Sequence, residues 1–248
     1  AAIPFAIWFF LAIEGVANVA EEAINPQRSV LIGFGSAIMT LVVLCILTFV
    51  SAVGVAGWEA VVYPEGSTIA SDSPLPLALS YVVHSGHIMY KMLVGIGLLG
   101  LVASFHGIIL AGGRSTFEFG RVGYAPKVLG KVNSKFRTPA NALIVNMLVG
   151  IVALFTGKTS EIITIACFGA LCLYIVSMIA FFALRKNEPN MERPFKVPFF
   201  PWFPAIALII AIIALVSMII YNPMIALIFV GIIALSYLYF LVFLHKKM

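Results

Sequence analysis

Seven apolar runs, at about residues 3–24, 30–56, 88–112, 139–157, 160–184, 200–220 and 223–244, set what this chain can fold into. Each is close to the roughly 20 residues that a helix needs to cross the hydrocarbon core of a bilayer. In lipid every backbone N–H and C=O must be satisfied internally, which leaves helices and closed barrels, and runs of this length are not barrel strands. The expected fold is therefore an all-α integral membrane protein with about seven transmembrane helices. Composition agrees, with 62% hydrophobic and 10% charged residues, against about 25% charged in a soluble domain. Turn and breaker signals separate the runs: Asn25-Pro26, the polar stretch Trp58 to Ser73, Arg114 to Thr138, Gly157-Lys158, Arg185 to Pro198, and Asn222-Pro223.

The formal net charge of +5 would suit a nucleic-acid binder in a soluble chain, but here the placement of the charges carries the information. If the first run enters from outside, 13 of the 15 Lys and Arg residues fall on the inner side, and only Lys91 and Lys158 fall on the outer one. That asymmetry is the positive-inside pattern; it puts the N-terminus outside and the C-terminus in the cytoplasm. Nucleic acid is not an expected partner, since a basic juxtamembrane loop has lipid headgroups for its anions.

Glu14 is the costly residue of the first run. An ionised carboxylate at bilayer depth costs about 2.5–3.5 kcal/mol on insertion scales, so it normally faces a cavity or a partner inside the protein. It sits in Ala12-Ile13-Glu14-Gly15, after the aromatic residues Phe5, Trp8, Phe9 and Phe10 and before Glu21, Glu22, Asn25, Pro26 and Arg28. A helix interrupted at the midplane would offer half-helix dipoles and free carbonyls around Gly15 to a ligand. The plainer reading is a hydrogen bond from Glu14 that ties helices together.

The third run, GIGLLGLVASFHGIILAGGR, spaces Ala103, Gly107 and Ala111 by four, with Gly100 and Ser104 on the adjacent line. Small residues at that spacing let another backbone approach closely. His106 lies next to this face, as a packing residue or a proton carrier. Asn141, Asn146, Thr164, Tyr174 and Ser177 supply the polar content of the fourth and fifth runs, for contacts between helices or with a substrate. The stretch Leu75 to Val83 in the outer loop suits either a helical hairpin or a solvated loop.

Enzyme signatures are absent: no Gly-rich phosphate loop, no HExxH and no GxSxG. Cys45, Cys167 and Cys172 all fall in apolar runs without metal-ligand spacing and read as packed free thiols. A seven-helix receptor or retinal protein is disfavoured, because the last run has no Lys for a Schiff base and the third ends in Gly113-Arg114-Ser115. No basic region of a cleavable signal peptide precedes the first run. The start inside an apolar run, without Met, gives the expectation of a fragment of something longer.

Three stretches resemble the amino acid-polyamine-organocation (APC) permeases. IWFFLAIEGVANVAEEAINPQR resembles their sixth helix with its AEE-x-x-NP-x-R end. LLGLVASFHGIILAGGRSTFEFGRVGYAPKVLGKVNSKFRTPANAL resembles the eighth helix, its Arg-x6-Arg-x-Gly loop and the Thr-Pro start of the next. ALRKNEPNMERPFKVPFFP resembles the RPFxVP linker. The resemblance implies a leucine-transporter-like fold of two five-helix inverted repeats plus two extra helices. This chain would hold the second repeat (1–184), a cytoplasmic linker (185–199) and the C-terminal pair with a short tail (200–248).

The family also implies a function: secondary transport of a small amine or amino acid by alternating access, in a bacterial cytoplasmic membrane. The wording around FFLAIEGVANVAEE looks closest to ethanolamine permeases. By the resemblance Trp8 would be an aromatic gate above the substrate, Ala12, Ile13, Glu14 and Gly15 the unwound backbone that holds it, and Ser104 and His106 part of the central site. Glu14 would be the candidate for proton coupling, because an apolar setting raises a carboxylate pKa and a carboxylate also attracts a cationic amine. No cofactor is expected, only coupling to H+ or Na+. The implied partners are the substrate, membrane lipids and a first repeat with its Gly-rich broken helix, which this chain lacks. The family commonly has Asn where His106 stands and Asp where Val122 stands, so specificity does not carry over. An amine sensor on the same scaffold is the alternative.

Overall fold

The computed structural model describes residues 3–11, 23–71, 73–193, 197 and 199–244, and every regular element among them is helical. In chain order these are α1 (Ile3–Phe10), α2 (Pro26–Val62), α3 (Pro74–Ser80), α4 (Ile88–Val122), α5 (Ala140–Phe155), α6 (Thr159–Asn187), α7 (Trp202–Tyr221) and α8 (Pro223–Tyr239). A π-helical turn, Phe240–Leu244, extends α8. Five of them are long and apolar enough to span a membrane, and the 16-residue α5 is a sixth, shorter apolar helix. The first expected span, 3–24, is described only at α1 and at its far end, residues 23–24. The fold is that of an all-helical membrane protein.

Local chemistry explains where the helices stop. Gly57 breaks α2 with φ +84° and ψ 165°, a conformation that glycine adopts without steric cost, at the end of the apolar run expected to finish at residue 56. Proline supplies the first residue of α3 and of α8, where its missing N–H is lost to no helical bond. α6 has Glu161 in its first turn and Arg185 and Lys186 in its last, matching the helix dipole at both ends. α7 and α8 are separated by the single residue Asn222. The loop before α4 holds the short helix α3.

The described residues form two compact units, residues 30–108 and residues 1–29 with 109–248, the division falling within α4. In the second of these, α6 is the most enclosed span. It buries Thr164, Cys167, Phe168 and Leu171, which recur at i, i+3, i+4 and i+7 and so lie on one face. Ala211 and Met218 of α7 complete the core, with Ile3 and Ile7 of α1 and Ile225 and Phe229 of α8 packed against it. The Phe168 and Phe229 rings stack with centroids 5.6 Å apart.

The same unit joins the end of α4 to α5. A Cβ at Gly113 would come within 2.5 Å of Leu143 Cδ2, so the glycine makes room for that side chain. The chain then folds back until Gly120 meets Gly130, where an added Cβ would stand 2.3 Å from the Gly130 nitrogen. The Asn146 Nδ2 lies 3.1 Å from the Gly112 carbonyl, 2.9 Å from Thr116 Oγ1 and 3.0 Å from the Ala142 carbonyl. Asn141 donates to the Val128 carbonyl at 2.9 Å, fixing the loop to the start of α5.

Candidate functional site

Ala12, Ile13, Glu14 and Gly15 lie outside the described residues. Their approach is described. α1 is apolar throughout and carries Trp8, Phe9 and Phe10 in its last turn; it stops at Phe10, and Leu11 closes a tight turn with its N–H on the Trp8 carbonyl at 3.1 Å. The backbone of α1 is held in place from α6: the Cys167 thiol hydrogen-bonds with the Trp8 backbone, while Ile3 and Ile7 pack on the core. Trp8 is 38% exposed.

Ser104 and His106 belong to the other unit and stand on α4. At about 100° per residue, His106 lies roughly 60° to one side of Ala103 and Ser104 roughly 100° to the other. The two therefore flank the small-residue line rather than sharing a face. His106 Nδ1 sits 2.7 Å from the Val102 carbonyl of its own helix. A carbonyl only accepts, so Nδ1 carries the hydrogen, and in the neutral ring Nε2 is left as an acceptor pointing away from that bond. Gly100 and Gly107 leave open space, with nothing within 4 Å of an added Cβ.

Three of the polar residues of the later spans, Asn141, Asn146 and Thr164, bond within the protein. Asn141 and Asn146 join segments, and buried Thr164 donates to the Ser160 carbonyl one turn back at 2.8 Å. Cys167 was expected only as a packed thiol; its contact with Trp8 depends on how α1 meets α6, for which residue spacing carries no signal. Arg185 is held between Phe181 and Phe200, with ring centroids 5.0 and 4.6 Å from its guanidinium carbon. That arrangement suits a cation on aromatic faces and fastens the end of α6 to the chain entering α7.

The described ion pairs are exposed and short-range. Arg121 meets Glu118 at 2.9 Å and Lys158 meets Glu161 at 3.1 Å, and such pairs contribute about 0–1 kcal/mol. No group of three or more His, Cys, Asp or Glu residues able to hold a metal occurs among the described residues. A groove of about 400 Å³ on α4 is lined by Arg114, Ser115, Glu118, Phe119, Val122 and Tyr124.

The sequence profile of the family described as "Amino acid permease" matches residues 1–244. An uncharacterized transporter of Rhizobium meliloti (strain 1021) is 27% identical over 203 residues, 81% of this chain and 42% of that protein. The methylthioribose transporter of Bacillus subtilis (strain 168) is 28% identical over 196 residues, covering 77% of this chain and 40% of its own length. The branched-chain amino acid permease BcaP of Lactococcus lactis subsp. cremoris (strain MG1363) is 26% identical over 194 residues, again 77% and 40%. The chain thus spans about two-fifths of the length of these relatives. With nearly all of its residues matched by the profile, the chain belongs to the amino acid permease family.

Proposed function

We propose that this chain is part of a secondary permease that moves a small amine or amino acid across the bacterial cytoplasmic membrane by alternating access. Ethanolamine is the first substrate to test, from the wording around Glu14. In this reading residues 1–184 are the second repeat, 185–199 the cytoplasmic linker and 200–248 the accessory pair, and a first repeat supplies the other wall of the site. The observation that carries it is the end of α1. The apolar pattern runs on to residue 24, yet the helix stops at Phe10 with a turn at Leu11, directly before Ala12-Ile13-Glu14-Gly15. The family membership and the transporter names of the relatives support the same class.

Glu14 attracts the ammonium group of the substrate or exchanges the coupling proton, and Trp8 closes over the substrate. Coupling is to H+ or Na+. The test is uptake of labelled ethanolamine and of a panel of amino acids by the full-length permease, wild type and Glu14→Gln, across pH. A neutral amide neither attracts the cation nor releases a proton, so uptake falls at least about tenfold and its pH dependence flattens. A wild-type rate and pH profile would sink the role of Glu14. Ligand binding with no flux in the intact protein would assign a sensor instead. These 248 residues alone, reconstituted in liposomes, give no saturable uptake if the first repeat is needed; saturable uptake would refute that division.

A further inference from the structure

We propose that the basic segment from Arg114 to Arg137 is a docking surface for an anionic phospholipid headgroup, its phosphate seated where the backbone brings Arg121 next to Gly130-Lys131. The first observation is the glycine contact. A Cβ at Gly130 would lie 2.6 Å from the Arg121 nitrogen and 2.9 Å from its Cα, so only a glycine allows the backbone at 130 to rest on the backbone at 121. Residues ten apart in sequence are thereby neighbours, and each is a cation or is followed by one. Lys127 arrives on the same returning segment, which is fixed by the Leu129 N–H on the Pro126 carbonyl at 2.9 Å and by the Asn141 bond to Val128.

The second observation is charge. Residues 114–138 contain six cations, Arg114, Arg121, Lys127, Lys131, Lys135 and Arg137, and a single acid, Glu118. The Arg121–Glu118 pair is exposed, with side chains 64% and 47% accessible, and leaves the neighbouring lysines uncompensated by any other carboxylate in the segment. Lys127, Lys131 and Lys135 are exposed. The positive-inside rule accounts for the number of charges but is indifferent to how the loop folds. Where the backbone carries basic residues this close with one carboxylate among them, an anion offsets their repulsion, and at the edge of a span the anion at hand is the lipid phosphate. The groove beside it contains Glu118 as well as Arg114 and plays no part.

The proposal is independent of the transported substrate. The purified full-length permease, in detergent, is offered equal amounts of phosphatidylglycerol and phosphatidylcholine, and retained lipid is counted by native mass spectrometry. Phosphatidylglycerol is retained preferentially. Arg121→Gln with Lys131→Gln lowers that preference about 25-fold, at about fivefold per basic residue at an anionic surface, while Lys91→Gln with Lys158→Gln leaves it unchanged. Equal retention of the two lipids, or full preference in the Arg121/Lys131 variant, overturns the proposal. Displacement of the lipid by millimolar inorganic phosphate would assign the site to a soluble anion and overturn it as well. Should that variant fail to fold, the wild type decides: the preference falls steeply between about 0.05 and 0.5 M salt, and a salt-independent preference refutes the docking surface.

Discussion

Asn146 has two N–H groups on Nδ2 and three acceptors within reach, so at most two of the three bonds form at once. Two of the acceptors, Gly112 and Thr116, are on α4, and the third is on its own helix one turn back. The side chain therefore acts as a polar clasp between α4 and α5, half-buried where water is scarce. Polar contacts between membrane helices average about 0.6 kcal/mol and reach about 1.7, because the separated helices also find partners. Asn146→Ala is expected to lower stability by about 0.6–1.7 kcal/mol. A double-mutant cycle with Thr116→Val should return a coupling of about 0.5–1 kcal/mol in denaturant titrations of the protein in micelles. A coupling of zero would show that Thr116 does not share the bond.

Between elements, the two close glycines on α4 differ in what opposes a side chain. At Gly113 the obstacle is the end of Leu143, which can rotate away; at Gly120 it is the backbone of Leu129 and Gly130, which cannot. Gly120→Ala is expected to cost at least about 2–3 kcal/mol and Gly113→Ala about 1 kcal/mol, read as the shift in thermal midpoint in the same detergent. Leu143→Ala should restore room for Gly113→Ala and do nothing for Gly120→Ala. Equal costs would mean that the 120–130 contact yields as easily as a side chain does. This contact also marks the limit of what the residues reveal unaided. Gly57, Pro74, Pro139 and Asn222-Pro223 announce the helix ends because each acts within its own few residues. The apposition of 120 with 130, and of Cys167 with Trp8, depends on the path of the chain between elements and has no local signature. The candidate site divides in the same way: the carboxylate in an apolar run singled out Glu14, and the 100° step already separates Ser104 from His106, whereas the support of α1 by α6 required the fold.

At the scale of the molecule, the bias of Lys and Arg gives the expected direction across the bilayer. α4 has 35 residues, about 52 Å as a helix, against a hydrocarbon core of about 30 Å. Its apolar part ends at Gly113, so the turns from Arg114 onward stand outside the core together with the basic loop. On the seven-span topology expected from the sequence, thirteen of the 15 cations would lie on the side of that loop. Reversing the protein would carry them across, against the bias that sets orientation during insertion. The expected outcome is tested with single cysteines at two exposed loop positions, Thr68→Cys and Ser134→Cys, in a background with Cys45, Cys167 and Cys172 replaced by Ala. In intact cells an impermeant maleimide labels Thr68→Cys and spares Ser134→Cys until the membrane is opened. The reverse pattern would place the basic loop outside, and with it overturn the direction from which α1 and Glu14 are reached. Labelling of both positions in one population would mean dual insertion, which a bias this one-sided does not allow.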